Sequence, residues 1–140
     1  MKFTIEKMDF ITREYVRANP HKTFLFGDNL LGRGYGGQAR AMRGEPNTIG
    51  IPTKKKPTNQ ADAFVTDVEF DQNKAAIDEA FGRLMELEVN SAIVIPSAGL
   101  GTGLAALPSK APRTYQYLNR KLAALVADHD VGPRPMDCRN

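Results

Sequence analysis

The run Ser91-Ala92-Ile93-Val94-Ile95-Pro96-Ser97-Ala98-Gly99-Leu100-Gly101-Thr102-Gly103-Leu104 constrains the fold of this chain more than any other. A short apolar segment feeds straight into a loop with glycine at every second position from Gly99 to Gly103. The first half reads as a buried strand, and the second half has no use as one. Alternating glycines let backbone N–H groups turn toward a common centre and let an anion approach closely. A chain built this way holds phosphate with little help from charged side chains.

A second junction of this kind lies upstream. Thr23-Phe24-Leu25-Phe26 reads as a short apolar strand that stops at Gly27-Asp28-Asn29. The glycine-rich stretch Gly32-Arg33-Gly34-Tyr35-Gly36-Gly37 follows and runs into a helix over 38–43. Asn47 to Pro52 reads as another strand, and Thr53 to Asp62 as a polar, basic, exposed loop.

The other elements follow from periodicity and caps. Lys2 to Lys7 alternates like a strand, and Asp9 to Asn19 reads as a helix capped by Thr12 and stopped by Pro20. Asp71 to Leu87 is the clearest helix, with Asp71 as its cap and Ile77, Phe81 and Leu84 on one face. Ser109 to Val126 reads as a last helix, with Pro112 in its first turn and a stripe of Tyr115, Leu118, Leu122 and Leu125. Strands alternate with helices, which predicts a single α/β layer sandwich over 1–127 and a flexible tail over 128–140. In such folds ligands bind beyond the carboxyl ends of the strands, where both glycine loops sit.

Composition narrows the classes. A net charge of +3 suits an anionic ligand without demanding nucleic acid. The one cysteine, Cys138, cannot form an internal disulfide, and no Cys/His cluster offers a zinc site. A reducing, cytoplasmic setting is expected, with no metal and no cofactor. The N-terminus lacks a signal-peptide core, and no apolar run approaches the ~20 residues that span a bilayer. Neither loop closes with the Gly-Lys-Ser/Thr of a Walker motif. Gly32, Gly34 and Gly37 match the letters of the Rossmann fingerprint, but Lys54-Lys55-Lys56 stands where an acidic ribose ligand belongs.

Asp28 and Asn29 stand where a carboxylate and an amide read a base or ribose hydroxyls; both also cap turns well. Gln38 faces either a ligand or solvent. Lys54 ends a strand at the same sheet edge, whereas Lys55 and Lys56 read as a solvated run. His21 and His129 sit in polar contexts without a catalytic partner.

The order of these pieces resembles the macro domain, the ADP-ribose-binding α/β/α module. It is most similar to the branch holding the terminal ADP-ribose glycohydrolase and the DarG antitoxin. That branch shows a comparable Pro52-Thr53-Lys54 strand end and a Pro-x-x-Gly-x-Gly loop, here Pro96 to Gly101. The resemblance covers about Phe24 to Leu125. It implies a three-layer α/β/α sandwich around a central mixed sheet. It implies that Asp28 and Asn29 contact the adenine or the distal ribose, and that Gly34, Gly36 and Gly37 pass near the distal ribose and diphosphate. Gly99, Leu100, Gly101, Thr102 and Gly103 would wrap the diphosphate, and Ser97 beside them is a further ligand-binding candidate. Lys54 falls where the branch places a lysine used to remove ADP-ribose from its target. Gly103 and Leu104 replace an aspartate that the glycohydrolases of the branch can carry, and DarG-like members also lack it. The expected function is ADP-ribosyl hydrolysis on a modified protein or nucleic acid, in a bacterial or phage protein. The alternatives are a non-catalytic binder of ADP-ribose and a nucleic-acid-binding protein using Lys54-Lys55-Lys56 with Arg40 and Arg43.

Overall fold

The computed structural model describes residues 3–88 and 90–131, with 127–131 as backbone only. Four strands form one sheet: β1 (Phe3–Met8), β2 (Lys22–Asn29), β3 (Thr48–Lys54) and β4 (Ser91–Pro96), in the order β1-β4-β2-β3. Every pairing is parallel. This corrects the mixed sheet that the resemblance implied. Each strand-to-strand connection carries a helix, so each strand re-enters at the same end of the sheet and no hairpin forms among the described residues.

Helices cover both faces. Side chains alternate along the strands: Phe24, Phe26 and Val94 pack with Val16, Ala39 and Met42. Leu25, Ile93 and Ile95 pack instead with Ile77, Phe81, Leu84 and Leu118. The first group joins the sheet to α1 (Arg13–Ala18) and α2 (Ala39–Met42). The second joins it to α3 (Phe70–Met85) and α5 (Pro112–Val131). The result is a three-layer α/β/α arrangement. Thr12 caps α1 as expected, accepting from the Tyr15 N–H at 3.1 Å.

Several boundaries move for physical reasons. β2 continues through Gly27, Asp28 and Asn29 because these residues pair with Ile51, Pro52 and Lys54 of β3. Thr53 and Lys54 therefore end a strand and are buried, not part of an exposed loop. Pro52 is tolerated because β3 is an edge strand. α3 starts at Phe70 with Glu69 at its cap position, so Asp71 lies in the first turn. The expected last helix is broken at Ala111 into α4 (Leu107–Lys110) and α5. Pro112 disfavours helical backbone at the residue before it, and Ala111 sits at φ −149°. α5 runs on to Val131; Cys138 and the rest of the expected tail lie outside the described residues.

Asp67 caps α5 from a distance. Its carboxylate accepts from the Arg113 and Thr114 N–H groups at 2.8 and 2.9 Å and from the Thr114 hydroxyl at 2.9 Å. Burial pushes this carboxyl up, but the three donors outweigh it and hold it below the usual aspartate range. The stabilisation is present above the unfolded-state value and is lost as pH falls through the lower folded one. Asp67→Ala is expected to cost about 1–2 kcal/mol and to flatten the acid limb of stability, measured by urea unfolding across pH.

Candidate functional site

β2 and β4 are neighbours whose chains leave in opposite directions. β2 leads into α2 on one face, and β4 leads into α4 and α5 toward the other. The crevice at such a switch point is where parallel α/β sheets bind ligands. A cavity of about 170 Å³ lies here, lined by the ends of β2 and β3, the loop before α2 and the loop after β4.

Gln38 bridges the crevice. Its Oε1 accepts from the Gly27 N–H at 2.7 Å and its Nε2 donates to the Gly99 carbonyl at 2.9 Å. Both halves of the amide are engaged, so it ties the two glycine loops together. Gly101 has φ +79°, and a Cβ there would meet Leu107 Cβ at 3.0 Å and Thr53 Cβ at 3.1 Å. The Gly101 carbonyl accepts from the Leu107 N–H at 2.8 Å, which fixes the loop to the start of α4. Among the described residues nothing accepts from the backbone N–H groups of Gly34, Gly36, Gly101 or Gly103. Backbone N–H groups left without an acceptor are the kind that can take an anion.

The charged residues divide into paired and unpaired. Asp28 and Arg43 form an ion pair in which both side chains are largely buried. Asn29 closes a turn, accepting from the Leu31 N–H at 3.0 Å and donating to the Arg33 carbonyl at 2.7 Å. Lys54 is only 7% exposed, and no carboxylate among the described residues pairs with it. Its ammonium lies 4.9 Å from the Phe64 ring centre and 3.5 Å from Asn59 Oδ1. Burial pushes the Lys54 amine below the ordinary lysine value. Neighbouring cations are not the cause: Lys55 pairs with Glu69 at 2.8 Å and Lys56 with Asp62 at 2.6 Å. Among the described residues, Arg33, Arg43 and Lys54 line the cavity with Asp28 as the carboxylate.

The cavity gathers Asp28, Asn29, Gly34, Gly36, Gly37, Gln38, Lys54, Gly101 and Gly103 from the sequence expectations. It does not gather Ser97, Gly99, Leu100 or Thr102. Ser97 and Gly99 line a different cavity beside α5. Leu100 is fully buried in the core, and Thr102 turns its hydroxyl to the Ala98 carbonyl at 3.0 Å. The loop is not extended, since Gly99 and Gly101 both take positive φ, so its residues leave in several directions. Arg43, Tyr35, Pro57 and Leu104 line the cavity without having been expected there. Tyr35 and Leu104 leave a mostly exposed apolar surface at its mouth.

Fold and cavity together define a parallel α/β protein with a glycine-lined crevice at its strand ends. The chain belongs to a family described as "Family of unknown function (DUF7831)", whose model matches residues 6–121. No curated protein and no solved structure matches it. No helix among the described residues is long and apolar enough to cross a membrane. Among the described residues no group of three or more His, Cys, Asp or Glu side chains could hold a metal ion.

Proposed function

We propose that the crevice binds ADP-ribose and that the protein removes ADP-ribose from a modified macromolecule in a reducing, cytoplasmic setting. The diphosphate lies against the open N–H groups of the two glycine loops. Holding this remote part of the substrate positions the reacting ribose. Lys54 acts at the anomeric carbon. The observation that carries the reading is a buried lysine that pairs with no carboxylate among the described residues, beside two loops whose glycine N–H groups have no acceptor there. A lysine is nucleophilic only as the neutral amine, and burial favours that form.

The test is incubation with ADP-ribosylated DNA and ADP-ribosylated protein. Release of free ADP-ribose from either is expected; release from neither overturns the catalytic reading. One observation favours the second reading, a binder without chemistry. The Phe64 ring and Asn59 together hold the Lys54 ammonium as a cation would be held. Calorimetry separates the two: a pure binder saturates with ADP-ribose and frees none from a modified target. The nucleic-acid alternative has less to draw on, because Lys55, Lys56 and Arg43 are each engaged by a carboxylate.

A further inference from the structure

Arg43 lines the cavity, yet four of its five N–H donors are spent on the protein itself. Nε–H donates to the Gly34 carbonyl at 2.6 Å and Nη2 to the Arg33 carbonyl at 3.1 Å. Nη1 reaches Asp28 Oδ2 at 3.2 Å, and Nη2 also bonds Asp28 Oδ1. The guanidinium carbon lies 5.5 Å from the Phe26 ring centre, and the Arg43 carbonyl accepts from Arg13 at 2.9 Å.

The anchor is equally fixed. Asp28 Oδ1 also accepts from the Asn29 N–H at 2.7 Å. Its carboxylate packs against Gly50, where a Cβ would come within 2.5 Å of Oδ2. The consequence lies in peptide geometry. The Arg33 carbonyl shares a trans peptide plane with the Gly34 N–H, and the Gly34 carbonyl shares one with the Tyr35 N–H. Within each plane the two groups point in opposite directions. Holding both carbonyls therefore turns both N–H groups away from Arg43.

We propose that Arg43 is a positioning residue: anchored on Asp28, it aims the Gly34 and Tyr35 N–H groups for an anion and does not itself touch that anion. The inference rests on the anion-binding part of the function proposed above. It also makes Asp28 an anchor and not a reader of base or ribose.

Arg43→Lys and Asp28→Asn test it, the first keeping the charge without the fork, the second keeping the shape without the charge. Amide resonances are recorded on the ligand-free proteins, and ADP-ribose is then titrated by calorimetry. In both variants the Gly34 and Tyr35 amide signals move while those of Gly101 and Gly103 stay. Affinity for ADP-ribose falls at least tenfold in both. Unmoved Gly34 and Tyr35 signals in Asp28→Asn, or tighter binding by that variant, overturn the proposal, since a freed Arg43 would then be meeting the ligand. If the unaltered protein takes up no ADP-ribose, the functional reading fails, and the ligand-free amide signals still decide the role of Arg43.

Discussion

Gly101→Ala is expected to destabilise the protein by about 3 kcal/mol, combining a non-glycine residue at positive φ with an overpacked contact. The position has φ +79°, and the new Cβ would press on Leu107 at 3.0 Å and on Thr53 at 3.1 Å. Leu107 is fully buried and Thr53 nearly so, so neither side can yield cheaply. The thermal midpoint should drop by about 10 °C for a domain of this size. Gly103→Ala is the control, because a Cβ at Gly103 meets nothing within 4 Å. Equal midpoints for the two variants would refute the tight approach of this loop to β3 and α4. Gly101→Glu adds a negative charge beside the proposed diphosphate position and should abolish ADP-ribose binding; retained affinity there would refute the loop assignment.

Lys54→Met should reduce ADP-ribose release by about a thousandfold or more if the amine performs the chemistry. The same substitution should leave the fold as stable as before or slightly more so. It removes a cation that burial disfavours and that no carboxylate among the described residues offsets, and it keeps most of the side chain's volume. A variant that is inactive because it is unfolded would therefore be recognised at once by its melting curve. The pH dependence carries the sign. The folded-state amine titrates below the ordinary lysine value, so the unfolded chain binds the proton more tightly. Stability should rise with pH from the lowered folded value to the ordinary one, and Lys54→Met should lack that rise. Release should climb with pH toward the lowered value and then level off. Release that survives in Lys54→Met would move the chemistry to another group.

Much of the fold was legible because its signals are local. Ile93, Val94 and Ile95 mark β4, and Phe24 to Phe26 mark β2, through short apolar runs. The faces of α3 and α5 follow from helical spacing alone. What local pattern could not give is pairing. Gly27, Asp28 and Asn29 look like a turn, yet they extend β2 because the ladder to β3 uses their backbone and not their side chains. The same ladder buries Lys54, which in sequence heads a polar run. The mixed sheet came from resemblance, and the helix-bearing connections of this chain contradict it. In sequence Arg43 reads only as part of a basic surface suited to nucleic acid. Its place depends on Asp28, 15 residues away, meeting it only after β2 and α2 have packed. Ser97, Gly99, Leu100 and Thr102 were expected at the ligand as one contiguous loop, whereas Leu100 is buried in the core, Thr102 bonds back to Ala98, and Ser97 and Gly99 line the cavity beside α5.

A crystal structure of the protein soaked with ADP-ribose tests the central claim most directly. The diphosphate is expected between the Gly34–Gly37 segment and the Gly101–Gly103 segment, accepting from their backbone N–H groups, with the distal ribose within reach of Lys54 Nζ. ADP-ribose bound elsewhere, or a crevice that stays empty at saturating ligand, would contradict it.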